Sequence, residues 1–287
     1  MEIQFKDVSH LFHGAKKKDI TIALDNINLS ISSKNEFITI VGKTGSGKST
    51  LMQHMNALKL PTKGNVLIFD KVITPKERKN PKLKEVRKRV GFVFQFPEYQ
   101  LFESTVLKDI MFAPKNFGMK KEDAEKKARE IAKLLKIEKL LDKSPFNLSG
   151  GQMRKVAIAG ILAYDPDILL LDEPTRGLDP KGQEEIMELF YDIHKKTNKT
   201  IIMITHDMDL VYKYATRVVV LNNGKITYDG NKEELFETNI YKENSLDKPE
   251  VLKLIDFINE NSNLNIDYKT YTLDSLLKKL EGRDINE

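Results

Sequence analysis

The stretch Gly42-Lys43-Thr44-Gly45-Ser46-Gly47-Lys48-Ser49-Thr50 fits the pattern G-x-x-x-x-G-K-[ST]. Glycines at these places let consecutive backbone N–H groups point inward at phosphate oxygens. In such a cradle Gly42, Thr44, Gly45, Ser46, Gly47 and Thr50 surround the phosphates, Lys48 reaches the β- and γ-phosphates, and Ser49 ligates Mg²⁺. A helix that follows adds the positive end of its dipole. Further on, the apolar run Ile168-Leu169-Leu170-Leu171 ends on Asp172 and Glu173. Alternate strand residues point to opposite faces, so the two carboxylates can take different tasks, Asp172 toward Mg²⁺ and Glu173 toward an attacking water. By itself an acid pair at a strand end marks a turn more often than a site. After a phosphate-binding loop, those odds reverse.

These groups need elements to hold them. Alternating apolar positions, Ile3-Phe5-Val8 and Ile27-Leu29-Ile31, suggest antiparallel strands joined by an exposed basic loop, Lys16 to Asp19. Phe37 to Val41 reads as a buried strand feeding the glycine loop, and Leu51, Met55 and Leu58 recur at helical spacing after it. Ala124, Ala128, Ile131, Ala132 and Leu135 form one apolar stripe in a lysine- and glutamate-rich segment, which predicts a helical subdomain over about residues 97–160. A helix is expected over Lys181 to Lys196 and a buried strand over Thr200 to Ile204, just before His206. Asn222-Asn223-Gly224 between Arg217–Leu221 and Lys225–Tyr228 predicts a hairpin, because asparagine and glycine tolerate positive φ. A new helical pattern begins at Pro249. The expected fold class is therefore α/β: a P-loop NTPase with a mainly parallel sheet, an antiparallel β subdomain, a helical subdomain and a small C-terminal extension. Residues 1–239 would form the nucleotide-binding domain and residues 240–287 the extension, with dimerisation as its candidate role.

Composition narrows the classes. The 287 residues are 40% apolar, enough for a packed interior, and no run of eighteen uncharged apolar residues occurs. The opening Met1-Glu2-Ile3-Gln4-Phe5-Lys6 has neither the charged start nor the apolar stretch of a signal peptide, so a cytoplasmic location is expected. With no cysteine, disulfides and thiolate chemistry are excluded, and the five histidines lack ligand spacing, so no structural metal is expected. Forty-seven basic residues against 42 acidic give +5, a mild excess that does not by itself call for nucleic acid.

From Phe5 to about Gly230 the chain resembles an ATP-binding-cassette (ABC) ATPase. It carries an ordered set: the phosphate loop, Gln95 in Phe94-Gln95-Phe96-Pro97, the signature Leu148-Ser149-Gly150-Gly151-Gln152, Asp172-Glu173, Gly177-Leu178-Asp179 and His206. The resemblance implies two cassettes closing on two ATP·Mg²⁺. Gln95 would complete the Mg²⁺ and water environment and report nucleotide state to a neighbouring subunit. Ser149, Gly150, Gly151 and Gln152 would meet the nucleotide of the opposite cassette, Ser149 and Gly151 at its γ-phosphate. Asp179 would couple the two sites, and His206 would hold the γ-phosphate and position the water. An aromatic ring stacks on adenine in this family; Phe12 fits best, with Phe5 or His10 as alternatives.

The segment Phe94-Gln95-Phe96-Pro97-Glu98-Tyr99-Gln100-Leu101-Phe102 resembles the ATPase subunits of energy-coupling-factor transporters, in which it forms a short extra helix facing the membrane partner. Pro97 suits a first helical turn, while Leu101 and Phe102 give a small apolar face. Phe-Gln-Phe-Pro-Glu, the insertion Gly14 to Ile22 and the C-terminal extension look like the second of the two ATPase paralogues. The implied partners are a second ABC ATPase subunit, favouring a heterodimer, a transmembrane coupling protein and a substrate-binding membrane subunit. The implied cargo is a vitamin or transition-metal ion, and the implied place is peripheral, at the cytoplasmic face of the cell membrane. Arg176, Lys43 and Met153 depart from the common pattern without removing a catalytic group. The alternative, a soluble ABC ATPase acting on DNA or ribosomes, is disfavoured: only about a hundred residues separate Lys48 from Ser149, too few for a long coiled coil, and the chain has one cassette.

Overall fold

Two sheets with different pairing rules frame the structure, a computed structural model that describes residues 2–14, 20–32, 35–76, 81–268 and 272–282. The alternating N-terminal segments form β1 (Ile3–His13) and β2 (Ile20–Ile31), which pair antiparallel; β4 (Lys63–Ile68) and β5 (Lys71–Ile73) complete a sheet of order β2-β1-β4-β5. The expected Lys16–Asp19 loop lies outside the described residues, as does most of the Gly14–Ile22 insertion.

The second sheet is built from continuous apolar runs: β3 (Phe37–Val41), β6 (Val90–Val93), β7 (Ile168–Asp172), β8 (Thr200–Ile204), β9 (Arg217–Asn222) and β10 (Lys225–Gly230). Their order is β10-β9-β3-β8-β7-β6, parallel from β9 to β6, with β10 added antiparallel through the Asn223-Gly224 turn. Strands buried on both faces need no polar alternation. Ile38, Ile40, Ile168, Leu170, Ile202 and Ile204 face the antiparallel sheet, where they meet Phe5, Leu24 and Met52. Phe37, Leu169, Leu171, Ile201 and Met203 face the opposite side, toward helices.

The helices divide between the two faces: α1 (Lys48–Met55) and α2 (Pro81–Arg89) pack with the antiparallel sheet, α3 (Val106–Asn116), α4 (Lys121–Leu134), α5 (Gly150–Leu162) and α6 (Pro180–Thr197) cover the opposite side, and α7 (Met208–Tyr214) joins a third cluster. In α4 the fully buried positions are Ala124, Ala128 and Ala132, side chains small enough to let α4 approach α3 and α5 closely. Helix α1 is shorter than its periodicity suggests. Ala57, at φ 54°, turns the chain out of the helix, and Leu58 is left exposed on the turn toward β4. Beyond β10 come α8 (Lys232–Glu237), α9 (Ile240–Glu243), α10 (Glu250–Asn261) and α11 (Leu273–Leu280). Leu252, Ile255 and Leu276 of this C-terminal part share one apolar cluster with Val41, Val218 and Val220, so it packs against a face of β3 and β9 in the main sheet.

Candidate nucleotide site and its wall

The glycine loop joins β3 to α1 and its form is imposed by its surroundings. Gly42 (φ 142°) and Gly47 (φ 105°) sit where a Cβ would lie 2.1 Å from Leu221 O and 2.3 Å from Ala23 O. At either position any other residue would meet both backbone strain and a collision. Gly224 N donates to Ser46 O at 3.0 Å, and Ser46 N donates to Lys43 O at 3.1 Å, fixing the middle of the loop. Lys48 Nζ donates to Gly42 O (2.7 Å) and Lys43 O (2.9 Å). Burial lowers the pKa of Lys48 from its ordinary value, against the opposing pull of Glu173 and Asp172. Gly42, Thr44 and Lys48 line a hollow of about 680 Å³ together with Glu173, Arg176 and His206.

On the other side of the loop, Phe12, Thr44, Gly45, Gly47, Ser49, Thr50, Gln95, Asp172 and Glu173 line a second hollow of about 390 Å³. Phe12, the last residue but one of β1, is 39% exposed, whereas Phe5 is core at 2%. Burial thus removes Phe5 as a stacking ring, while Phe12 has Lys59 Nζ 4.8 Å from its centroid and the partly exposed His10 edge-on at 4.8 Å. Behind His10, at 4.9 Å, lies the buried His54, whose Nδ1 donates to Thr50 O at 2.7 Å. Its Nε2 has no partner among the described residues. Burial is the main cause that drops the His54 pKa from 6.5 to about 4; the neighbouring His10 and Lys59 charges lower it further.

The sign of that shift sets an acid limit on stability. The folded state disfavours the proton, so the contribution of neutral His54 is complete above pH 6.5 and is lost as pH falls from 6.5 through about 4. The loss totals about 3 kcal/mol, of which about 2 kcal/mol is gone by pH 5. Urea unfolding at pH 7.5 and pH 5 should show a drop that His54→Gln largely removes. An equal drop in the variant would assign the acid sensitivity to other groups.

The acid pair is arranged differently from a simple strand alternation. β7 ends at Asp172, and Glu173 takes a left-handed backbone, φ 48°, with its N–H donated to Ile204 O of β8 at 3.0 Å. The two carboxylates diverge because of this twist, not because of strand periodicity. Ser49 Oγ donates to Asp172 Oδ1 at 3.4 Å. Burial raises the Asp172 pKa, against the Ser49 hydrogen bond and the Lys48 charge. Glu173 Oε2 accepts from Gln95 Nε2 at 2.9 Å and from Arg176 Nη1 at 2.8 Å, and Oε1 faces His206 Nδ1 at 3.5 Å. Partial burial pushes the Glu173 pKa up, but the Arg176, His206 and Gln95 contacts outweigh it and the net shift is downward. Lys48, Ser49, Gln95, Asp172, Glu173 and His206 are thus brought together from β3–α1, β6, β7 and β8.

The signature stands apart from them. Ser149 caps α5: its Oγ accepts from Gln152 N at 3.4 Å while Gln152 Oε1 accepts from Ser149 N at 3.1 Å, a reciprocal capping box. Having accepted, the Ser149 hydroxyl still holds a proton to donate. A Cβ on Gly150 or Gly151 would meet nothing within 4 Å, so the helix start is bare. Residues 148–152 line neither hollow beside the glycine loop. Asp179 caps α6, its Oδ1 accepting from Gly182 N at 2.9 Å.

One buried charge escaped the sequence reading. Arg154 of α5, 3% exposed, pairs with Glu98 through Nη2 (3.0 Å) and Nε (3.2 Å) and donates to Arg176 O at 2.8 Å. The clue was available: an arginine just before the apolar run Val156 to Leu162 of its helix needs a carboxylate once buried, and Pro97-Glu98 offers one. The turn Pro97–Gln100 is a single 3₁₀ turn with Pro97 buried. Leu101, expected on an outer apolar face, is instead half-buried against the helical cluster. Tyr99 (84% exposed), Phe102 (55%) and Phe112 (42%) make that face, with Phe102 and Phe112 edge-to-face at 4.7 Å.

Comparison with known proteins places this arrangement. Residues 24–176 match the family described as ABC transporter. The chain is 55% identical over 216 residues to the energy-coupling factor transporter ATP-binding protein EcfA2 of Bacillus subtilis (strain 168), covering 75% of this chain and 78% of that protein. Among solved structures it resembles cbiO1 from Clostridium perfringens, described as part of the ABC transporter complex cbiONQ (34% identity, TM-score 0.71, 88% of this chain and 98% of that one). It also resembles the ATP-binding cassette MJ0796 in a dimeric post-hydrolysis state bound to ADP and Pi (32% identity, TM-score 0.70, 80% and 98%).

Proposed function

The chain belongs to the ABC transporter family, as an ATP-hydrolysing subunit of the energy-coupling-factor type, and from that premise we propose how its residues divide the work. The observation that carries the reading is the separation of two half-sites: the glycine loop with Glu173 and His206 on one surface, the capped start of α5 on another. A second cassette supplies the missing half. Phe12 stacks on the adenine, the loop from Gly42 to Thr50 wraps the phosphates, and the partner's signature closes over them. Glu173 accepts a proton from the attacking water as its oxygen bonds to the γ-phosphorus and the bond from γ-phosphorus to the β,γ-bridging oxygen breaks, giving ADP and phosphate. Lys48 and His206 face the charge that develops on the γ-phosphate, and Gln95 keeps the water beside Glu173. Asp179 links the two sites.

Ser49 and Asp172 fit Mg²⁺: two hard oxygen ligands approach each other at the foot of the loop, and this ion is commonly held by one or two carboxylates plus substrate phosphates. Gln95 is a third candidate ligand. When bound, the ion offsets negative charge on the β- and γ-phosphates.

The partners we propose are the second ATPase paralogue, a transmembrane coupling protein that receives the Tyr99–Phe102 face, and a substrate-binding membrane subunit for a vitamin or transition-metal ion. No helix among the described residues is long and apolar enough to cross a membrane, which suits a subunit held at the cytoplasmic face by its partners. Residues 1–239 serve as the cassette, and 240–287 as an extension that braces the dimer.

Extraction of membranes with mild detergent should recover the chain with a second ATPase and two membrane proteins, identified by mass. Recovery on ribosomes or DNA instead would support the soluble alternative. In the reconstituted complex, Tyr99→Ser with Phe102→Ser should cut cargo uptake about tenfold at unchanged ATP binding, since exposed aromatic anchors dominate such contacts. Unchanged uptake would remove this face from the coupling surface.

A further inference from the structure

Arg176 stands one residue before Gly177, its side chain 53% exposed, and its guanidinium reaches back three residues to Glu173 Oε2 at 2.8 Å. Gln95 Nε2 donates to the same oxygen at 2.9 Å. A carboxylate oxygen offers two in-plane acceptor positions, so both positions on Oε2 are filled. His206 Nδ1 faces the other oxygen at 3.5 Å. The Arg176 backbone is held independently: its N–H donates to Glu173 O at 3.1 Å, and its carbonyl accepts from the buried Arg154 at 2.8 Å. A fixed backbone thus carries a half-exposed cation whose terminus meets the carboxylate where it borders both hollows.

Resting on the reading of Glu173 as the proton acceptor, we propose that Arg176 is a positioning residue that withholds Glu173 from the attacking water, so that hydrolysis requires the Arg176–Glu173 contact to open when two cassettes close. The device restrains idle hydrolysis by the uncoupled subunit. It works through one charge-assisted N–H to carboxylate contact, for which the guanidinium's rigid fork loses less freedom than a flexible ammonium would.

The test uses the complete membrane complex in lipid nanodiscs, assayed for ATP hydrolysis without transport cargo. Arg176→Ala should raise kcat about threefold or more while KM for ATP stays within twofold, and Arg176→Lys should fall between the two. The substitution keeps the carbonyl that Arg154 uses, so the loop's anchorage is retained. A kcat at or below the parental value in Arg176→Ala overturns the proposal, as does a rise matched by Arg176→Lys. Glu173→Gln, measured alongside, separates the two failures. If it arrests turnover and Arg176→Ala brings no acceleration, only the restraint is wrong; if it hydrolyses at the parental rate, the assignment of Glu173 falls and this proposal with it.

Discussion

Glu173→Gln is expected to lower ATP turnover by about 10²–10⁴-fold, the range over which a positioned general base acts. The substitution is nearly isosteric, and the amide oxygen can still accept from Gln95 and Arg176, which donate to Glu173 Oε2 at 2.9 and 2.8 Å. Folding and nucleotide binding should therefore survive, because the glycine loop and Lys48 are untouched. What is lost is a group able to take up the proton released by the water. A cassette that binds but cannot hydrolyse should accumulate in the closed state. Size-exclusion chromatography with ATP should then show a dimer that persists for the length of the run, while the parental protein returns to the open form. Turnover within threefold of the parental rate would assign the proton to another acceptor.

The second large effect concerns a residue that is remote from the phosphate loop of its own chain. A Cβ on Gly151 meets nothing within 4 Å, so Gly151→Asp should fold without strain. In the closed complex its carboxylate would face the γ-phosphate held by the partner. Loss of one donor to a developing anion already costs about 10²–10³-fold, and a like charge in its place acts in the same direction. Turnover of the assembled complex should fall by at least about a hundredfold at the affected site. Binding of a fluorescent ATP analogue to the isolated variant chain should be unchanged. If the isolated variant instead lost nucleotide affinity, the signature would be acting within its own chain, and the division of labour between cassettes would be wrong.

Much of this site was legible in the sequence, because its parts are local. The glycine pattern, the apolar runs of β7 and β8 and the Asn223-Gly224 turn are each written within a dozen residues, and each lies where periodicity and turn chemistry put it. Glu173 was legible as a residue but not as a geometry. Its left-handed backbone is imposed by a hydrogen bond to Ile204 O on the neighbouring strand, a contact that no spacing within β7 encodes. Leu58 kept helical spacing by coincidence, since Ala57 had already turned the chain. Leu101 was placed outward on composition, and only the packing of the helical cluster draws it in. Arg154 and Glu98 lie 56 residues apart and meet only once α5 is laid against the turn after β6. Local rules fixed the chemistry; pairwise contacts across the fold fixed its aim.

The nine residues from Gly42 to Thr50 owe their shape to distant parts of the chain. Leu221 O abuts Gly42, Ala23 O abuts Gly47, and Gly224 N holds Ser46 O, so the loop is moulded by β2 and by the hairpin of β9 and β10. Grafting this nonapeptide onto another strand-to-helix junction would not transplant the phosphate cradle. Conversely, a break in the backbone near residue 224 would loosen nucleotide grip from nearly two hundred positions downstream.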